Sequence, residues 1–168
     1  MSTENFASVW VTAATELLET HRNPTQAKAM QAYMKDNFPF YGIPKPLRAN
    51  LFKEFFRLYG IPGKNEFREV VQLLWNNSHR ELHYLAFECL MKNKKHFEEH
   101  DILLFEEMMR SHSWWDSVDF ISPTLVGSWL KKFPHRKDSL LKKWNCDPNF
   151  WIRRASLLAQ LKEKGDTD

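Results

Sequence analysis

Apolar and polar residues in this chain seldom alternate in the strict two-residue rhythm of a half-buried strand, and only five of 168 residues are glycine, so the pattern predicts helices. Cap residues and prolines mark where those helices begin. Asn23-Pro24 and Asp147-Pro148-Asn149 each set a capping side chain beside a proline suited to a first turn. Ser78-His79-Arg80-Glu81 has the three-residue Ser-to-Glu spacing of a capping box. These signals predict helices over 3–20, 24–36, 46–59, 65–75 and 78–93. Further helices are predicted over 98–111, 115–120, 124–133, 134–144 and 149–164. Connections are short, which favours antiparallel helix hairpins. The longest irregular stretch, residues 38–46, is rich in aromatics and proline, unusual for an inert connector.

Helix starts at Ser78, Ser113 and Asn149 recur at spacings of 35 and 36 residues. That period is typical of two-helix solenoid repeats, whose stacked hairpins curve and whose second helices line the inner face. Trp115, Asp119, Trp151 and Arg154 would then share one concave wall. The alternative is an irregular helical bundle without curvature.

Composition changes this picture little: 43% hydrophobic and 27% charged residues are ordinary for a globular domain, here read as one spanning residues 1–168. Aromatics are abundant, with seven Trp and thirteen Phe. Charge is more informative. The net +3 hides a segment, residues 131–164, that carries ten basic and three acidic residues. A phosphate-holding groove and a solvated lysine-rich face explain that asymmetry equally well. Cys89 and Cys146 form no CxxC pair, no apolar run could cross a bilayer, and the polar N-terminus lacks a signal core. These features predict a reduced, cytoplasmic protein.

Several candidate chemistries fall away. His79 and His83 have a spacing able to hold a metal, but the zinc-peptidase motif needs Glu directly after the first His, and no third ligand is evident. His96 and His100 fare no better, and Gly60-Ile61-Pro62-Gly63-Lys64 reads as a turn. No Ser or Cys lies in a nucleophile elbow. What remains is Ser113-Trp114-Trp115-Asp116-Ser117-Val118-Asp119. Trp114 is expected to plug the core and Asp116 to serve the helix N-terminus. Trp115 and Asp119, four apart, share a face, and a core-facing Trp115 would drag the carboxylate into apolar surroundings. One of Arg153 and Arg154 lies nearer the inner face, where a guanidinium suits a phosphate.

The Trp-Trp-Asp-Ser-Val-Asp string, Tyr33-Met34-Lys35 with the following Phe-Pro-Phe-Tyr-Gly-Ile, and Trp151-Ile152-Arg153-Arg154-Ala155 together resemble the bacterial alkylpurine DNA glycosylases built from HEAT-like repeats, the AlkD type. The resemblance runs across essentially the whole sequence. It implies an all-α, right-handed superhelical solenoid of antiparallel helix pairs that clamps duplex DNA and excises purines alkylated at N3 or N7. It also implies that Trp115 and Asp119 form the catalytic pair, with Arg154, Tyr33, Lys45 and Trp151 on the DNA. No metal, cofactor, membrane or oligomer is implied. Two departures stand out: the sequence stops at Asp168, short of the family's further repeats, and Pro44 occupies a place where relatives carry a polar DNA-contacting residue. The shortened end is expected to leave Leu157, Leu158 and Leu161 exposed. The main rival is a non-catalytic repeat scaffold binding DNA structure or a protein, which an Asp119 paired with Arg or Lys inside the wall would favour. A module binding a partner helix is a third reading.

Overall fold

A computed structural model describes residues 5–163, all helix, turn or loop with no strand among them. The all-α class expected from the sequence is what is found. The chain gathers into two compact units, one running to Asn93 and the other from Lys94 onward.

In the first unit, α1 (Phe6–Thr20) buries Trp10, Ala14 and Leu18, spaced by four so that they fall on one face. Asn5 caps it, its side-chain oxygen accepting from Ala7 N–H; the predicted start at Thr3 lies outside the described residues. The Trp10 indole meets Phe55 edge-on at 4.7 Å, while its N–H donates to Gly60 O at 3.1 Å. Asn23 caps α2 (Pro24–Tyr33) as expected, accepting from Gln26 N–H with proline at the first position. This helix stops three residues early because Lys35 and Asp36 take left-handed φ values of 56° and 58°. Two further helices, α3 (Lys45–Tyr59) and α4 (Phe67–Trp75), follow, and α4 packs along α5 (Arg80–Lys92).

The capping box expected at Ser78 is absent. His79 is the N-cap of α5, and Arg80 N–H donates to Pro39 O. Glu81 turns the other way. Its carboxylate is fully buried and accepts N–H bonds from Tyr41, Gly42 and Ile43 at 2.9–3.2 Å. Hydrogen bonds to a charged acceptor contribute about 1.5–3 kcal/mol each, so the carboxylate is held where it would otherwise be costly to bury. The aromatic stretch is therefore core rather than connector, with Phe38, Phe40, Tyr41 and Ile43 all buried. The two histidines at metal-ligand spacing have these surroundings: His79 stacks on Tyr41 at 4.0 Å, and His83 takes a hydrogen bond from Arg80 while facing Asn77 O.

In the second unit, α6 (Asp101–Ser111) and α7 (Trp115–Phe120) are followed by a six-residue π-helical turn (Ile121–Val126) that leads directly into α8 (Gly127–Lys132). A 3₁₀ turn (Pro134–Arg136) then opens α9 (Lys137–Asn145), and α10 (Phe150–Leu158) packs on α9. Asn149 caps α10, but Pro148 precedes the cap instead of occupying the first turn. That helix ends at Leu158 with turn following it, short of the predicted end at Lys164, which itself lies outside the described residues. N-caps His79, Trp114 and Asn149 stand 35 positions apart, as the sequence period requires. The same register recurs in contacts: His135 reaches Glu99, Trp144 Nε1–H donates to Glu106, and Arg110 forks onto Asp147, at separations of 36, 38 and 37 residues.

Two glycines test this packing. Gly42 (φ 86°) and Gly60 (φ 76°) both sit in the left-handed region, yet a Cβ on Gly42 would collide with the Asn23 carbonyl and lie 2.5 Å from Ala27 N, whereas one on Gly60 meets nothing within 4 Å. In urea denaturation Gly60→Ala is expected to cost about 1–3 kcal/mol from backbone strain alone, since its ψ of 166° lies where only glycine sits freely. Gly42→Ala should cost more than about 3 kcal/mol, since backbone must move. Equal losses would show that Gly42 is not tightly packed.

Candidate functional site

The Trp-Trp-Asp segment forms the first turns of α7. Ser117 fixes the entry to that helix: its Oγ accepts Trp114 N–H at 3.3 Å and lies 3.0 Å from Trp114 O. Trp114 faces inward, its ring 5.8 Å from that of Trp151, with its indole N–H buried and without a partner among the described residues. Asp116 sits in the first turn, where the helix dipole favours negative charge. Trp115, by contrast, is 39% exposed, and the Asp119 side chain one turn along is 36% exposed. An indole and a carboxylate thus face solvent from the same side of one helix.

Asp119 is not alone there. Arg154 Nε–H donates to its Oδ1 at 2.7 Å and Nη2–H to its Oδ2 at 2.6 Å, a bidentate fork across 35 residues. Donating those hydrogen bonds to Asp119 makes the guanidinium hold its proton more firmly than usual. With both partners more than a third exposed, solvent screens the pair, and it adds about 1 kcal/mol or less to stability. Its larger effect is orientational, because a planar fork fixes the carboxylate plane. Arg153 points elsewhere and donates to Asp147 O and Pro148 O. Trp151 is half-buried against Trp114 and Phe150. In the first unit, Tyr33 ends α2 at 68% exposure, and exposed Lys45 opens α3.

Reasoning from sequence places a helix boundary at Pro123, and the structure corrects this. Proline lacks the N–H that the Asp119 carbonyl, four residues earlier, would receive in an α-helix, and its ring would clash there. The chain answers with a π turn, in which Gly127 N–H reaches back five residues to Ser122 O, and the helix continues. Ser122 and Gly127 were also missed. Ser122 Oγ–H donates to Ala155 O at 2.6 Å, and a Cβ on Gly127 would sit 2.9 Å from Ala159 O. Both let the helix lie close along α10, which sets Arg154 beside Asp119. The one signal in the sequence was the four-residue step from Asp119 to Pro123.

A helical repeat protein presenting a solvent-facing indole and an arginine-clamped carboxylate is the class that fold and site define. Residues 14–168 match the family model described as "DNA alkylation repair enzyme". The chain belongs to that family. It is also similar to a solved structure described as "Predicted DNA alkylation repair enzyme from Enterococcus faecalis", with 30% identity and a TM-score of 0.77 over 88% of this chain and 68% of the other. No curated protein matches it. Among the described residues no helix is long and apolar enough to cross a membrane, and no group of three or more His, Cys, Asp or Glu could hold a metal ion.

Pro123→Ala supplies the missing donor to the Asp119 carbonyl. It is expected to leave stability unchanged or raised by about 1 kcal/mol, while shifting the Arg154 Nε–H resonance in nitrogen-15 NMR as the fork is re-registered. A resonance left in place would mean that the π turn does not set the pair.

Proposed function

We propose that this chain is a DNA glycosylase of base excision repair that releases cationic N3- or N7-alkylated purines from duplex DNA. The observation that carries this reading is the solvent-facing Trp115–Asp119 pair. A purine alkylated at N7 or N3 already bears positive charge and can leave without a general acid. As its N-glycosidic bond breaks, positive charge builds on the deoxyribose. Asp119 would stabilise that charge and orient the attacking water, while the Trp115 π face covers the sugar, an interaction of about 1–2 kcal/mol when desolvated. Arg154 would hold Asp119 in plane and direct its remaining N–H groups at a backbone phosphate. Tyr33, Lys45 and Trp151 would add contacts to the DNA. Selectivity then follows from charge: cationic lesions are released and neutral uracil is not.

One observation favours the rival. A carboxylate paired with arginine is what a non-catalytic scaffold would show, with Asp119 serving only to join neighbouring helices. Against this stand the exposure of both partners and the small stability such a pair supplies.

The two readings part on base release. Single-turnover release of 7-methylguanine from methylated duplex is expected from the wild type, falling by about 10²–10³-fold in Asp119→Asn, the range seen when one electrostatic group is removed from an active site. Full activity in Asp119→Asn would remove that carboxylate from the chemistry, and no release by the wild type would leave the scaffold. For Arg154→Ala, duplex binding is expected to weaken alike for all sequences, with the salt slope reduced by about 0.9. An unchanged slope would confine Arg154 to its partner Asp119.

A further inference from the structure

The basic residues of the second unit do not all face solvent as loose charges. Arg136, Lys137 and Lys143 meet Glu99, Glu163 and Glu106. Lys132 donates to Lys95 O and Phe97 O, the usual work of a lysine near backbone carbonyls. Three lysines behave differently. Lys94, Lys131 and Lys162 converge on a cavity of about 80 Å³ beside α8 and the residues following α10, lined also by Thr124, Ser128 and Gly127. None of the three is paired with a carboxylate among the described residues, and neither Lys94 nor Lys131 donates to a carbonyl there. Glu163 borders the cavity, but its carboxylate is drawn to Lys137 at 3.4 Å.

Gathering ammonium groups is unfavourable, and Lys94 registers it: burial first, then the Lys162 charge, loosen its proton below the usual lysine range. Lys162 Nζ donates to Thr124 Oγ1 at 2.7 Å. That leaves the buried Thr124 hydroxyl hydrogen without an acceptor among the described residues. Ser128 has spent its own hydrogen on Thr124 O at 2.6 Å. The cavity holds about two or three waters at ~30 Å³ each, or one tetrahedral oxyanion. Three ammoniums and an unspent hydroxyl suit a phosphate and would repel a cation.

Position narrows the source of that phosphate. Ser128 lies nine residues beyond Asp119 on one continuous helix, a distance of about 13 Å at 1.5 Å per residue. At 3.4 Å of rise per nucleotide on one strand, this is about four nucleotides. We propose that Lys94, Lys131 and Lys162, with Thr124, form a seat for a single backbone phosphate of duplex DNA about four nucleotides from the sugar presented to Asp119. The seat rests on the DNA-binding part of the reading above and not on base release.

The test measures affinity for an undamaged duplex across a salt series, with inorganic phosphate at constant ionic strength as a second arm. The Lys94→Met/Lys131→Met/Lys162→Met variant, checked for an unchanged circular dichroism melt, is expected to lower the slope of log K against log salt by up to about 2.7, or ~0.9 per ammonium engaged. Lys142→Met, an exposed lysine outside the cavity, should change it by at most one such step. Inorganic phosphate should displace duplex from the wild type more readily than from the triple variant. An unchanged slope in the triple variant, or an equal fall in Lys142→Met, would overturn the seat. Phosphate binding lost in the triple variant with the duplex slope intact would also overturn it, since the site would then serve free phosphate. A wild type that binds duplex with the expected slope change but releases no base would support the seat and defeat the glycosylase reading.

Discussion

Close approach between the helix running from Trp115 to Lys132 and its neighbour α10 is the constraint on which the second unit depends. Two small residues permit it. Ser122 spends its hydroxyl on Ala155 O, and Gly127 has no Cβ to strike Ala159 O. Along the line of contact the partners keep the repeat register: Trp114 meets Trp151, Asp119 meets Arg154, and Thr124 meets Lys162. Larger side chains at 122 or 127 would separate the helices and with them the carboxylate from its guanidinium. Packing of the kind that normally serves only stability here decides which charges can touch.

The π turn refines this arrangement. An α-helix advances side chains by 100° per residue, and one extra residue in a turn rotates everything beyond it relative to everything before. Trp115 and Asp119 lie before the turn; Ser128 and Lys131 lie after it. A single proline four residues past Asp119 therefore sets how the carboxylate is aimed relative to the cationic end of the same helix. No other residue type removes both the donor and the space at once.

Most of this was legible in the sequence where the cause is local. Residues 115–120 form a helix as the pattern predicts, but the proline at 123 does not end it, and the chain runs on through the π turn into α8. The repeat was visible from helix starts, since each repeat must begin its second helix at the same place to stack. Local patterns misled where a partner lay far along the chain. Glu81 sits three residues after Ser78, the spacing of a cap, but its partners are backbone N–H groups 38–40 residues earlier. Arg154 was readable as an inward guanidinium but not as the partner of Asp119, because that meeting depends on Ser122 and Gly127. Lys94, Lys131 and Lys162 carry no shared pattern at all; only packing gathers them. The exposed leucines were half foreseen: Leu157 and Leu161 are open to solvent, while Leu158 is partly covered.

On the proposed function, the Asp119–Arg154 fork would bear on chemistry in a way neither residue would alone. A guanidinium carries five N–H groups, and two of Arg154's are given to Asp119, leaving three for other acceptors. A DNA phosphate could therefore be accepted without breaking the fork. Shared between two anions, the guanidinium would neutralise Asp119 less completely than it does in the free protein. The carboxylate would then present more of its charge to the sugar once the backbone is seated. Binding of the duplex and stabilisation of a cationic deoxyribose would be linked through one arginine, so that the electrostatic field develops where the substrate is held. In the absence of DNA the same arginine keeps an exposed carboxylate partnered and aimed.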